Sequence, residues 1–398
     1  MELWKRTNTQ RSGKAWHVSR LLKQDTRFPY QAAVHRVRAV VHLIGKATPR
    51  LPRRESAGES ARLMLTRENY RGVIAYPPTP FTKDFALDED ALRENLQKLI
   101  ALGVEGIAMA GTSGEFYTLT DEELRRIAII MREETVKSGV VSLMGAISLS
   151  TDETIRRARL IADAGIDGLL VIAPYHTPLT QRELMQFWQE VCAACPDTGV
   201  VVYHYDWIRQ PYTVETFRQL AAIPNLIGSK EAHWDFKLWR TMHCESPLAH
   251  MSSTDVGWLV ELHRQRAIGV GSLQICWMPH RVREILDLCA TGDYAAAERV
   301  QRDFTEFPAR MKLGLGRPHI FPPELEALEA YSPLARHKAV IDALGFLRVG
   351  PIRRPALPVP GNLIQRIRDF AERYYPELIP TPERVAASSK GQPLWRTK

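Results

Sequence analysis

From Gly72 to Gly292 short apolar segments alternate with amphipathic ones, and eight such alternations in about 220 residues leave few folds open to the chain. The apolar segments are Val73–Tyr76, Gly106–Ala110, Val140–Ala146, Gly168–Ala173, Gly199–Tyr205, Leu226–Lys230, Ala249–Ser252 and Ala267–Gly271. Between them run patterns such as Glu122–Arg132 and Thr154–Asp163, apolar at three- and four-residue spacing, the period of a helix with one buried face. Three of these helices open with the spacing of a capping box: Thr120 with Glu123, Ser150 with Glu153, and Thr180 with Glu183. Several end at a glycine that leads into the next strand, as at Gly103 and Gly165.

An open doubly wound sheet would carry a glycine-rich turn after its first strand, but Tyr76-Pro77-Pro78-Thr79-Pro80-Phe81 follows here, and proline has no N–H with which to cradle phosphate. The chain is therefore expected to be an α/β protein built on a closed (β/α)8 TIM barrel over residues 68–292. Three further helical patterns, Asp293–Phe307, Leu334–Leu344 and Leu363–Tyr375, lie between Pro-rich connectors and predict a C-terminal helical subdomain over 293–378, with a tail over 379–398. No internal repeat beyond the β–α alternation is evident.

The formal charge of +8 would suggest a nucleic-acid partner if it were spread over the barrel. It is not: residues 1–63 hold 14 Lys/Arg and 4 Asp/Glu, a net of +10, which leaves 8 − 10 = −2 for residues 64–398. The arm over 1–63 has no strong apolar period and is expected to be a disordered basic extension. Transit segment, basic arm, and upstream extension with Met64 as the natural start are its three readings, the last favoured, since no nucleic-acid-binding motif accompanies it. Five cysteines, an odd number, predict no disulfide framework, and a cytoplasmic, membrane-free protein is expected. Cys192 and Cys195 have redox or metal spacing but close an amphipathic helix without a second such pair, so no metal is expected there.

Lys230 is the first candidate for chemistry, the other reading of the segment being a lysine whose head snorkels to solvent. It stands near the C-terminal end of the sixth apolar segment, the end at which a barrel of this kind builds its active site. A buried ammonium without a partner is costly, and the neutral amine that forms in its place is a nucleophile. Glu231 is adjacent in sequence, so in a strand it points to the opposite face and cannot share the pocket of Lys230. Two other strand ends offer reactive groups: Gly111-Thr112-Ser113-Gly114-Glu115, a strand-to-helix turn able to hold a carboxylate, and Tyr203 on the fifth strand. Gly269-Val270-Gly271-Ser272 could suggest a phosphate site and pyridoxal phosphate, but its glycines are as easily close-packing positions.

Gly111-Thr-Ser-Gly-Glu115, Ala173-Pro-Tyr175, Val202-Tyr203, Ile227-Gly-Ser-Lys-Glu-Ala232 and Val349–Pro358 occur in the order and spacing of the dihydrodipicolinate synthase / N-acetylneuraminate lyase family, which the chain resembles from about Tyr70 to Leu378. The resemblance implies a class I aldolase-type lyase acting on pyruvate or a pyruvate-derived 2-oxo acid, with no cofactor or metal. Lys230 would form the imine, Tyr203 would relay protons, and Thr112 would hydrogen-bond Tyr203. Gly111 and Ser113 would hold the carboxylate, with Gly269, Val270, His176 and Arg209 as further candidate substrate contacts. It also implies a homotetramer or homodimer.

The sequence departs from the biosynthetic members at His176, where they place a second tyrosine of the proton relay, and at Ile208, where they place an arginine that here falls one position later, at Arg209. Tyr203-His204-Tyr205-Asp206 stands for their Tyr-Asn-x-Pro, and Ser253 for a glycine. Imine chemistry is thus expected with a partner other than aspartate semialdehyde. Dehydration of a 2-keto-3-deoxy sugar acid is the alternative reaction, and a non-catalytic 2-oxo-acid sensor or scaffold the alternative class.

Overall fold

The computed structural model of the protein describes residues 64–205, 212–233, 235–253, 258–310, 322–388 and 394–395. Eight parallel strands close into one barrel in sequence order: β1 (Gly72–Ala75), β2 (Gly106–Met109), β3 (Val141–Gly145), β4 (Gly168–Val171), β5 (Gly199–Tyr205), β6 (Leu226–Ala232), β7 (Ala249–Ser252) and β8 (Gly269–Ser272). Helices α1 (Glu89–Leu102), α2 (Asp121–Thr135), α3 (Thr151–Asp163), α4 (Gln181–Ala194), α5 (Val214–Leu220), α6 (Phe236–Glu245), α7 (Leu259–Arg264) and α8 (Pro279–Thr291) follow the strands in turn. After them come α9 (Tyr294–Arg310), α10 (Pro333–Leu344), α11 (Gly361–Tyr374) and α12 (Pro382–Ser388). No helix among the described residues is long and apolar enough to cross a membrane.

Alternation along each strand divides the core into two layers. Ile74, Ala108, Leu143, Leu170, Val201 and Met251 fill the barrel interior. Val73, Ile107, Met144, Leu169 and Val202 face outward and meet the buried stripes of the helices. Thr120–Glu123 and Thr180–Glu183 form reciprocal capping boxes. Ser150 does so only by half: its hydroxyl accepts from the Glu153 N–H, but the Glu153 carboxylate turns to Arg156 at 2.6 and 3.0 Å, a charged donor that outcompetes a backbone N–H. A box that the helix-start pattern did not reveal, Thr213 with Thr216, opens α5.

β5 and β6 run in register except between Val200 and Val201, which pair with Leu226 and Gly228, so that Ile227 is an extra residue on β6. A bulge of one residue reverses the faces of all residues after it. Lys230 consequently pairs with Tyr203 and Met251, both interior residues, and Glu231 pairs with His204 and Ser252 on the outer side.

The core begins earlier than residue 68, since Leu65 is fully buried beneath the barrel. The segment 379–398, expected as a tail, carries α12. Its buried Trp395 donates from the backbone to Glu105 at 3.0 Å and from the indole to the Ala267 carbonyl at 3.2 Å. The arm over 1–63 lies outside the described residues.

Candidate active site

The C-terminal ends of β1, β2, β5 and β6 bring four side chains together, the candidates Lys230, Tyr203 and Thr112 and a further residue, Tyr76. Lys230 is 6% exposed, and its amine has aromatic faces for neighbours: the Tyr203 ring centre at 3.7 Å and the Tyr76 ring centre at 4.3 Å. Among the described residues no carboxylate pairs with it. Thr112 Oγ1 and Tyr203 Oη are hydrogen-bonded at 3.2 Å, which fixes the phenol over the amine. Tyr76 carries no distinguishing signal in the sequence, where it reads only as the end of the first apolar segment, before a Pro-rich loop. Burial, reinforced by the nearby phenols Tyr70 and Tyr203, pushes its hydroxyl well above the ordinary range, so it stays protonated and can donate to a substrate oxygen.

The turn Gly111–Glu115 is held open from several sides. Its flanking residues Ala110 and Glu115 both have positive φ, 53° and 55°, a conformation that L-residues keep only where the surroundings impose it. Thr79 Oγ1 donates to the Gly114 carbonyl at 2.7 Å, and Ser113 Oγ donates to the Tyr76 carbonyl at 3.1 Å. A Cβ on Gly114 would lie 2.7 Å from the Ala110 nitrogen, so the turn closes only with glycine there. The backbone N–H groups of Ser113 and Gly114 donate to no protein acceptor among the described residues, which leaves them for an anion.

Glu115 anchors the turn from below. It is fully buried and receives the Lys338 ammonium of α10 at 2.7 Å and the Arg353 N–H at 2.8 Å. Lys338, 1% exposed, also donates to the carbonyls of Thr79 at 3.0 Å and Pro351 at 2.9 Å. The C-terminal subdomain therefore reaches into the base of the turn. Burial draws the Lys338 amine below the usual lysine range, against the pull of Glu115. Neither role was visible in sequence, since a lysine in a helical pattern reads as a solvated face.

Of the remaining candidates, His176 lies exposed in the connection from β4 to α4, next to Tyr175, while Arg209 and Ile208 fall outside the described residues. Gly269 and Val270 are not brought to the mouth. Gly269 opens β8 at the opposite, N-terminal end of the barrel, packed so closely on Gly72 that any side chain would overlap its backbone. Val270 pairs with Val73 and Ser252 on the outer face and packs in the layer beneath the helices. Gly269 is a close-packing position against its register partner Gly72, and Val270 a core position of the outer layer. Cys192 and Cys195 are core residues at the end of α4, and burial, with Cys195 beside it, pushes the Cys192 thiol up to about 12.

Behind the β5–β6 wall lies a second polar cluster. Glu231, 1% exposed, receives His204 Nδ1 at 2.7 Å and His233 Nε2 at 2.9 Å, while Ser229 bonds both Glu231 and His250. Burial opposes the carboxylate charge, but attraction to His204 and the hydrogen bonds from His204, His233 and His250 outweigh it and hold the carboxyl well below its usual range.

The family model described as the dihydrodipicolinate synthetase family matches residues 69–315. The 4-hydroxy-tetrahydrodipicolinate synthase of Thermus thermophilus is 28% identical over 327 residues, 80% of this chain and 100% of that protein. A "Probable 5-dehydro-4-deoxyglucarate dehydratase" of Bradyrhizobium diazoefficiens is 37% identical over 168 residues, 42% of this chain and 52% of that one. Among solved structures, a prophage protein of the dihydrodipicolinic acid synthase family from E. coli K12, in complex with pyruvate, superposes with a TM-score of 0.65 at 21% identity, over 76% of this chain and 98% of that chain.

Proposed function

The chain belongs to the dihydrodipicolinate synthetase family, a family of lyases, and from that premise we propose that it is a class I aldolase-type enzyme that forms an imine between Lys230 and a pyruvate-derived 2-oxo acid. The observation that carries this reading is the setting of Lys230: a buried amine between two phenol rings, with no carboxylate partner among the described residues and a hydrogen-bonded Thr112–Tyr203 pair over it.

The substrate carboxylate would rest on the free N–H groups of Ser113 and Gly114, which sets its keto carbon toward Lys230. The amine adds to that carbon, a proton passes to the former carbonyl oxygen, and water leaves to give the imine. The protonated imine then takes up the electron pair of the bond broken next to it, or returns that pair to an incoming carbonyl carbon when the reaction runs as condensation. Tyr203, oriented by Thr112, is suited to give and recover the proton at the carbinolamine oxygen. Tyr76, held protonated, is suited to donate to the same developing charge.

Incubation with pyruvate, reduction with borohydride and peptide mass spectrometry test this: a reduced adduct on Lys230 is expected, and none in Lys230→Ala. An unmodified wild-type chain after trials with pyruvate and larger 2-oxo acids would overturn it and favour a sensor or scaffold.

The similarity to the Bradyrhizobium dehydratase favours one second reading, elimination of water from a deoxy sugar acid through the same imine. His176 fits it as well, since an imidazole stands where condensing relatives are expected to have a phenol. Product analysis separates the two: pyruvate release marks carbon–carbon cleavage, and loss of water without pyruvate marks dehydration. We further read the exposed Tyr175–His176 segment as one that meets a neighbouring subunit in a homo-oligomer, which light scattering of the Tyr175→Ala variant against wild type would test.

A further inference from the structure

The cluster on the outer face of the β5–β6 wall plays no part in the imine chemistry, because it points away from Lys230. Its side chains are of metal-ligating types. The ligand-type atoms of His204, Glu231 and His233 all lie within 4.8 Å of one another, and all three side chains are buried. Two imidazoles and one carboxylate are the donor set of zinc-like ions rather than of calcium or magnesium, which take oxygen ligands.

Two further observations point the same way. The buried Glu231 carboxylate has no lysine or arginine against it among the described residues, where the imidazoles around it, or a cation bound between them, are the partners for its charge. The rings of Tyr212 and Phe217 close over His204, with centres at 5.1 and 6.1 Å, and give the cluster the dry, apolar surround that strengthens metal–ligand bonds.

We propose that His204, Glu231 and His233 bind one divalent transition metal of the zinc class, which braces β5 and β6 directly behind Tyr203 and Lys230 without touching substrate. The 2.7 and 2.9 Å separations are those of shared protons. A zinc ion with bonds of about 2.0–2.1 Å sets its ligands about 3.3 Å apart, so entry expels those protons and widens each of the two nitrogen–oxygen separations by roughly half an ångström. Ser229 and His250 stand beside Glu231 and would fix its orientation from outside.

Titration of the full-length, metal-stripped protein with Co²⁺, read by visible absorption and reversed by Zn²⁺, tests the site. One Co²⁺ per chain is expected, without the near-ultraviolet band of a thiolate ligand, and unchanged in a Cys192→Ala/Cys195→Ala variant. His233→Ala, its fold checked by circular dichroism, is expected to weaken the affinity more than about 100-fold, since losing a ligand exceeds the loss of an outer partner. A wild-type chain that takes up no cobalt, a thiolate band, or cobalt held as tightly by His233→Ala would each overturn the proposal. Should His233→Ala fail to fold, anomalous scattering from zinc-soaked wild-type crystals decides, with a peak between His204 and His233 expected and a peak elsewhere or none sinking it.

Discussion

Tyr203 and Lys230 are register partners on β5 and β6, and the Lys230 amine stands 3.7 Å from the centre of the Tyr203 ring. The pairing places a candidate nucleophile and a candidate proton carrier on rigid, adjacent strands, so neither has to be found by a flexible loop. It also separates the two contributions of the tyrosine: its ring packs the lysine, and its hydroxyl is held by Thr112.

Tyr203→Phe keeps the ring and removes the hydroxyl. Turnover is expected to fall by about 10²–10⁴-fold, the usual contribution of positioned acid–base catalysis, with the adduct on Lys230 still trapped by borohydride at a reduced rate. Thr112→Val removes one hydrogen bond worth about 0.5–1.5 kcal/mol and should cost at most about tenfold. Single-turnover rates of adduct formation check both, and a wild-type rate in Tyr203→Phe would remove this residue from the relay.

Lys338→Met leaves the fully buried Glu115 carboxylate without its ammonium, and a broken buried pair costs about 3–5 kcal/mol. Glu115→Gln leaves the ammonium instead and should cost a similar amount. The double variant is expected to recover part of the loss, so a double-mutant cycle from denaturant unfolding should show strong coupling. Two losses that simply add would mean that the pair does not tie α10 to the Gly111–Glu115 turn.

The Glu123 carboxylate joins the cap of α2 to Arg353, which reaches it at 2.5 and 2.9 Å and, first among several causes, holds it below its ordinary value of 4.5. With the folded pKa depressed, the unfolded chain binds more protons in the window just below 4.5, so the stabilisation is complete above that pH and is lost as pH falls through the folded value. Glu123→Gln should therefore lower stability by about 1 kcal/mol near neutrality and have little effect at strongly acid pH. Urea unfolding across that range checks it, and an undiminished difference in acid would contradict the assignment.

Gly228 follows the bulge on β6, and a Cβ there would overlap the Ala249 carbonyl on β7. Gly228→Ala is expected to cost about 1–3 kcal/mol as an overpacked wall, and to slow adduct formation because the strand that presents Lys230 must shift. Thermal unfolding together with the trapping rate tests the point. A variant as stable and as fast as wild type would show that the wall yields there at no cost.

The order of elements needed no tertiary information. Period-two and period-3.6 patterns, glycine stops and hydroxyl–carboxylate starts are local effects of backbone geometry, and they outline the eight strands and several of the helices within a few residues of where they lie. The same locality made Lys230 visible, because a lysine among strand formers is unusual, whereas Tyr203 and Thr112 gained their expected roles only from the family resemblance. What locality could not supply is which face a residue takes after an irregularity. The extra residue at Ile227 is set by how β6 fits β5, and it alone turns Lys230 into the barrel and Glu231 out of it. Nor could it supply contacts between distant segments. Tyr76 beside the amine, Lys338 beneath the turn, the three histidines around Glu231, and the burial of Gly269 and Val270 away from the mouth all follow from closing the barrel and packing the last helices on it. Local periodicity determined the fold class and brought Lys230 forward as a candidate, whereas the bulge register and long-range packing decided what the candidate side chains meet, since burial and charge balance are properties of neighbours in space.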